Sequence, residues 1–200
     1  MEVALYFGSF NPPHCGHAAI AEHLYRKAGF DEVRIVLSPQ NPLKERQSES
    51  SEELRLEMVR QWVGSVPYLR LCTLEFEMER PSYTYLTLRR LREMEPQNRF
   101  SLVIGADSLA AFRRWREWEE IAHCHQLVVY PREGYDIRVL QEELHWVCPE
   151  AAVTCLDAPL CPFSSTAVRE AVSAGEDASG MVPPVVWQFI RTGKLYKESH

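Results

Sequence analysis

Gly8-Ser9-Phe10-Asn11-Pro12-Pro13-His14-Cys15-Gly16-His17 is the stretch on which the reading of this chain turns. It follows an apolar run, Val3 to Phe7, and leads into a segment, His17 to Ala28, whose apolar positions Ala21, Leu24, Tyr25 and Ala28 fall at i, i+3, i+4 and i+7. A strand, a glycine-led turn and a helix in that order are the opening unit of an α/β fold. Gly8 lets a ligand or a tight turn come close to the backbone, and Pro12 and Pro13 hold the chain extended so that no helix starts early. Gly29 is placed to end the helix in a left-handed conformation. With a start near Pro13, His14 and His17 share the first turn, beside N–H groups without intrahelical acceptors and at the positive end of the dipole. Two imidazoles there make a phosphate site with adjustable charge, not a site for a nucleophile.

The same alternation continues along the chain. Val33 to Leu37, Leu69 to Phe76, Phe100 to Ile104, Gln126 to Tyr130 and Val153 to Leu156 read as strands, several apolar throughout, as in a parallel sheet covered on both faces. Helices are expected from a Ser50/Glu53 capping box through Leu54, Met58, Val59 and Trp62, and then over Tyr83 to Met94, Trp115 to Ala122, Ile137 to Trp146, Ser165 to Ser173 and Pro184 to Arg191. The pattern predicts a doubly wound, Rossmann-like parallel sheet with helices on both faces, which binds ligands at the carboxyl ends of its strands. One domain, residues 1–200, is expected, with a helical part from about 164. The polar stretch Ser38 to Ser51 reads as an active-site loop, because no separate core follows it.

Lys and Arg number 22 against 28 Asp and Glu, a net charge of −6, which speaks against nucleic-acid binding by phosphate neutralisation. Apolar residues make up 46% and charged residues 25%, ordinary globular values. The six cysteines include no CxxC pair, and a chain this long needs no bridges. The start, Met1-Glu2-Val3-Ala4-Leu5, has neither a basic leader nor a membrane-length apolar run. A reducing cytoplasmic location with free thiols is therefore expected, with no membrane partner; a homo-oligomer is left open. His14 and His17 could also be zinc ligands with help from His123-Cys124-His125, but a structural site needs four donors, and no bound zinc is expected.

The Gly8 to His17 run resembles the signature of the nucleotidyltransferase superfamily that carries a His-x-Gly-His motif, and its Asn11-Pro12-Pro13 form is similar to bacterial nicotinate-nucleotide adenylyltransferases. Pro81-Ser82-Tyr83-Thr84, Ile104-Gly105-Ala106-Asp107, Trp115, Ser164-Ser165-Thr166-Ala167-Val168-Arg169 and the tail from Val182-Pro183 to Leu195-Tyr196 resemble further segments of that family, in the same order and over essentially the whole chain.

The resemblance implies adenylyl transfer from ATP to nicotinate mononucleotide, with Mg²⁺ on the triphosphate. It implies His14, His17 and Arg169 as catalytic residues. Gly8, Ser9, Phe10, Gly105, Asp107, Ser164 and Ser165 join them around ATP, and Asn11, Lys44, Tyr83, Thr84, Trp115 and Arg132 around the mononucleotide. Taken alone, Ser164 to Thr166 is equally a helix cap, Asp107 a cap for Ser108 to Phe112, Lys44 a solvated charge, and the Trp115/Trp118 pair a helix core. Leu86 stands where the family commonly has aspartate, which leaves acid-versus-amide selectivity open. The alternatives are an enzyme that prefers nicotinamide mononucleotide, a phosphopantetheine enzyme, and a nucleotide-sensing module without turnover.

Overall fold

In the computed structural model, residues 1–39 and 52–196 are described. Strand β1 (Glu2–Gly8) sends Ala4 and Tyr6 to one face and Val3 and Leu5 to the other, and all four are buried, so the sheet must be covered on both sides. Around it β2 (Glu32–Leu37), β3 (Leu69–Cys72), β4 (Arg99–Gly105), β5 (Leu127–Tyr130) and β6 (Val153–Cys155) pair in parallel, in the order β3-β2-β1-β4-β5-β6. This is the doubly wound topology expected from the sequence. The order reverses between β1 and β4, and the crevice at their carboxyl ends is the switch point.

Eight helices lie among the described residues: α1 (Cys15–Arg26), α2 (Glu52–Gly64), α3 (Thr84–Met94), α4 (Ala106–Ala110), α5 (Trp118–Cys124), α6 (Ile137–Val147), α7 (Ser165–Ser173) and α8 (Pro184–Gly193). Ile20, Leu24, Met58, Trp62, Val168, Val172, Val186 and Ile190 put α1, α2, α7 and α8 on one face with Tyr6 and Ile35. Leu88, Leu91, Leu109, Ile121 and Leu144 put α3 to α6 on the other with Leu5 and Leu102. The C-terminal helices thus share the core of the N-terminal unit.

Several boundaries differ from expectation. Helix α1 starts at Cys15 and buries Ile20, Ala21 and Leu24, while Tyr25 is exposed and stacks on Tyr68 at 4.5 Å; Gly29 does take a positive φ, 81°. β3 stops at Cys72, and Leu74–Phe76 forms a 3₁₀ turn that buries the Glu75 carboxylate, which a continued edge strand would not turn inward. Trp115 lies outside α5, extended after a 3₁₀ turn (Phe112–Arg114), and Glu117 before α5 has φ 54°; Trp115 and Trp118 therefore do not share a helix. The buried face of α2 begins with Arg55, not Leu54, which is exposed. The Ser38–Ser51 loop beyond Pro39, with Lys44 and Ser50, lies outside the described residues.

Candidate active site

The β1–α1 connection runs along the carboxyl edge of the central strand, with a cis Asn11–Pro12 peptide and Phe10 at φ 44°. Phe10 drops its ring into the core against Tyr6 (5.6 Å), His17 (4.9 Å) and Trp62 (6.0 Å). A Cβ on Gly8 would stand 2.9 Å from that ring, so the glycine makes room for Phe10 in the tight turn. Phe10, assigned to ATP by sequence, is buried. A Cβ on Gly16 would meet Cys161 Sγ at 2.8 Å and the His14 ring at 2.9 Å; the glycine lets the 156–164 segment cross over the start of α1.

His14 is the N-cap residue, with extended backbone, and His17 is the third helical residue. The Gly16 N–H donates to His14 Nδ1 and the His14 N–H donates to His17 Nδ1, both at 3.1 Å, so the two imidazoles form a reciprocal capping box. An Nδ1 that accepts a backbone N–H carries no proton, which places the proton of each neutral ring on Nε2. Both rings are therefore hydrogen-bond donors through Nε2, and neither is a base through Nδ1. Their centroids are 3.7 Å apart. Burial, helped by the positive charge of Arg132, lowers the His14 pKa from 6.5 to about 4.

This shift has a stability consequence. Between pH 6.5 and about 4 the unfolded chain binds a proton at His14 and the folded chain does not, so the contribution is complete above 6.5 and is lost as pH falls towards 4. Urea unfolding at stepped pH is expected to show a shallower acid decline in His14→Gln than in the parent. Parallel declines would contradict it.

The rest of the loop is held mainly by side chains from elsewhere that donate to its main-chain carbonyls. Arg169 donates to Asn11 O at 2.8 Å, Ser165 Oγ to Pro12 O at 2.9 Å, and Tyr196 OH to Asn11 Oδ1 at 2.7 Å. Arg55 donates to Ser9 O and Ser38 O, both at 3.1 Å, and to Pro39 O at 2.7 Å. Cys15 N–H donates to Met181 O at 2.8 Å. Asn11, expected to touch the mononucleotide, is buried and anchors the loop through its contacts with Arg169 and Tyr196. Ser164 caps α7, accepting from Ala167 N–H at 3.1 Å. The structure thus brings His14, His17, Ser165 and Arg169 together as expected. It adds Arg55 and Tyr196, which sequence reasoning missed. Arg55 had a visible signal, a charge at the i−3 position of the Met58, Val59, Trp62 stripe; Tyr196 stood in the family-like tail, but nothing there tied it to Asn11.

Across the switch point Gly105, not Asp107, caps α4. The Asp107 carboxylate folds back over Gly105, where a Cβ would collide with its Oδ1. Arg132 pairs with Asp107 at 3.6 Å, lies over the Tyr130 ring at 5.0 Å and donates to Tyr130 OH at 3.3 Å. Its Nε is buried without a hydrogen-bond partner. Arg132 therefore lies beside Asp107, and its charge reaches His14.

That second set gathers where α3 begins, at the same edge of the sheet. Tyr83 is the N-cap residue and Thr84 the first helical residue. The Arg116 guanidinium lies 5.1 Å from the Tyr83 ring centroid, which joins this helix start to the Trp115 segment. Trp115 is half-buried against Phe112 at 5.5 Å. Buried Glu75 accepts from Ser82 Oγ and Thr87 Oγ1, both at 2.9 Å, and fixes the start of α3; Leu86 is half-buried beside these ties. Arg116 and Glu75 were not anticipated.

A family model for cytidylyltransferase-like proteins matches residues 5–171. A Flavobacterium johnsoniae protein named as a probable nicotinate-nucleotide adenylyltransferase is 35% identical over 198 residues, covering 99% of this chain and 100% of that one. The chain belongs to the nicotinate-nucleotide adenylyltransferase family. The Bacteroides fragilis member is 37% identical over 189 residues, 94% of this chain and 90% of its own. Among solved structures, a Plasmodium falciparum nicotinic acid mononucleotide adenylyltransferase complexed with NaAD superposes with a TM-score of 0.78 over 98% of this chain and 97% of that one, at 17% identity, which shows the shared fold. Among the described residues of this family member, no helix is long and apolar enough to cross a membrane, and the six cysteines are unbridged.

Proposed function

We propose that the protein transfers the adenylyl group of ATP to nicotinate mononucleotide, giving nicotinate adenine dinucleotide and pyrophosphate in NAD biosynthesis. The observation that carries this reading is the imidazole capping box at the switch point, which fixes two Nε2–H donors beside the start of α1. The attacking mononucleotide phosphate has a second pKa of about 6, so it is mostly dianionic at neutral pH and needs no general base. Donor-only imidazoles suit that reaction. What remains is to bring two anions together, align them across the α-phosphorus and stabilise charge on the leaving pyrophosphate.

In this reading His17, with His14, donates to the α-phosphoryl oxygens. Arg132, whose buried Nε is ion-paired with Asp107 at 3.6 Å but makes no hydrogen bond, and Arg169 with the start of α7 serve the remaining phosphate oxygens. Asp107 accepts from ribose hydroxyls. Trp115 offers its face to the pyridine ring, while Thr84, the N–H groups opening α3 and nearby Arg116 receive the nicotinate carboxylate. The Asp107 carboxylate is already paired with Arg132, so Mg²⁺ fits as an ion carried by triphosphate oxygens and water, with few protein ligands. When bound, it neutralises charge on the leaving pyrophosphate.

Trp115→Ala is expected to raise the mononucleotide KM by about 3–10-fold, the equivalent of roughly 0.5–1.5 kcal/mol of ring contact, with a smaller change in kcat. An unchanged KM would remove Trp115 from the site. The reaction itself is tested with ATP labelled at the α-phosphorus. Label should pass into the dinucleotide with no labelled protein intermediate; label trapped on the protein would contradict direct displacement.

A further inference from the structure

We propose that His123, Cys148 and Glu150 form a binding site for a divalent ion of the zinc class at the amino-terminal edge of the sheet, opposite the catalytic cleft. His123 lies in the last turn of α5, Cys148 caps α6, and Glu150 stands in the turn before β6. One donor atom from each, Nε2, Sγ and a carboxylate oxygen, lies within 4.8 Å of the other two. His123 from α5 meets the Cys148–Glu150 turn after α6 only in the folded chain.

The histidine is oriented as a ligand would be. Its Nδ1 lies 2.5 Å from the Glu119 carbonyl oxygen, which can only accept, so Nδ1 holds the proton and Nε2 faces outward. Ligating histidines are commonly fixed through such a bond from their other nitrogen. Nε2 stands 2.5 Å from Glu150 Oε1. A nitrogen lone pair and a carboxylate oxygen that close need a positive charge between them, supplied by a proton or by a metal ion. The buried Cys148 thiol beside them is a soft donor, at the edge of the sheet opposite the one that carries the β1–α1 connection.

Thiolate, imidazole and carboxylate together select zinc-like ions over magnesium. On binding, the ion takes the place of the proton between His123 and Glu150 and of the thiol proton of Cys148, both of which pass to solvent. A dication with one thiolate and one carboxylate leaves the site neutral, with a fourth position for water. Ligand distances of about 2.0–2.3 Å require the Nε2 to carboxylate gap to open, and the Glu150 side chain is exposed and can rotate. The ion would tie the end of α5 to the turn leading into the three-residue edge strand β6.

The sequence reading expected no bound zinc and considered His123-Cys124-His125 as partners of His14 and His17. The fold places that cluster at the other end of the sheet, where His125 Nδ1 is bound to Phe100 O at 2.9 Å. Of the three, only His123 joins the proposed site.

Co²⁺ titration of the reduced full-length protein tests this by absorption spectroscopy. The expected result is a thiolate-to-cobalt charge-transfer band with tetrahedral d–d bands, a rise in Tm with added Zn²⁺, and retention of both in Cys124→Ser. His123→Ala, at an exposed position, should weaken binding by more than the roughly 10–100-fold typical of losing an outer-shell partner, and Cys148→Ala should abolish the charge-transfer band. Absence of the band in the parent, its persistence in Cys148→Ala, or Co²⁺ binding by His123→Ala as tight as in the parent, would overturn the proposal. Adenylyl transfer plays no part in this readout.

Discussion

His17→Ala is expected to lower kcat by about 10²–10³-fold while the mononucleotide KM changes by no more than about twofold, the pattern for a donor that acts on charge developing in the transition state. The expectation follows from the tautomer. His17 Nδ1 accepts the His14 N–H, so the proton on Nε2 is fixed as a donor before substrate arrives, and the packed rings of His14, Phe10 and Tyr6 leave it little room to reorient. Alanine also removes one half of the capping box, which costs about 0.5–2 kcal/mol of stability. His17→Asn separates the two effects, because an asparagine oxygen can take over the cap while no Nε2–H remains. A stable His17→Asn protein with a kcat as low as that of the alanine variant is expected. Equal losses in kcat and in mononucleotide affinity would refute the transition-state role.

Arg55→Met is expected to lower stability by about 3 kcal/mol or more and to depress activity, although Arg55 is on α2 and away from the histidines. The substitution leaves Ser9 O, Ser38 O and Pro39 O without the guanidinium they share, and a buried polar group left unsatisfied costs about 1–3 kcal/mol. Burial pulls the Arg55 pKa below its ordinary value, yet an arginine remains charged, so the cation is held by carbonyl dipoles. Lysine is expected to rescue only partly, since one compact ammonium cannot span three carbonyls as a planar fork does. Urea unfolding of the parent, Arg55→Met and Arg55→Lys proteins gives the measurement. An Arg55→Met protein within about 0.5 kcal/mol of the parent would show that the carbonyls find other donors.

The doubly wound sheet was legible because burial on both faces writes continuous apolar runs, as in Val33 to Leu37 and Leu127 to Tyr130. The paired helix starts were legible as well, since HxGH and Ser164-Ser165 carry cap chemistry in their residue types. What stayed hidden depends on tertiary contact. That Phe10 packs over Gly8 and Asp107 over Gly105 could not be read from the residues around those glycines. Glu75 sat in what read as a strand, and its inward turn follows from Ser82 and Thr87, seven and twelve residues later. Tyr196 reaches Asn11 across 185 residues, a separation that no local pattern encodes. The role of Lys44 lies outside the described residues.

The central claim is tested most directly by pyrophosphate release from ATP and Mg²⁺ with the purified protein, comparing nicotinate mononucleotide with nicotinamide mononucleotide at equal concentration. Release that depends on the mononucleotide and has the higher kcat/KM with the acid is the result expected from the cation and helix start around Tyr83, Thr84 and Arg116. Faster release with the amide would contradict the substrate assignment, and no release with either would contradict a catalytic role for the His14–His17 pair.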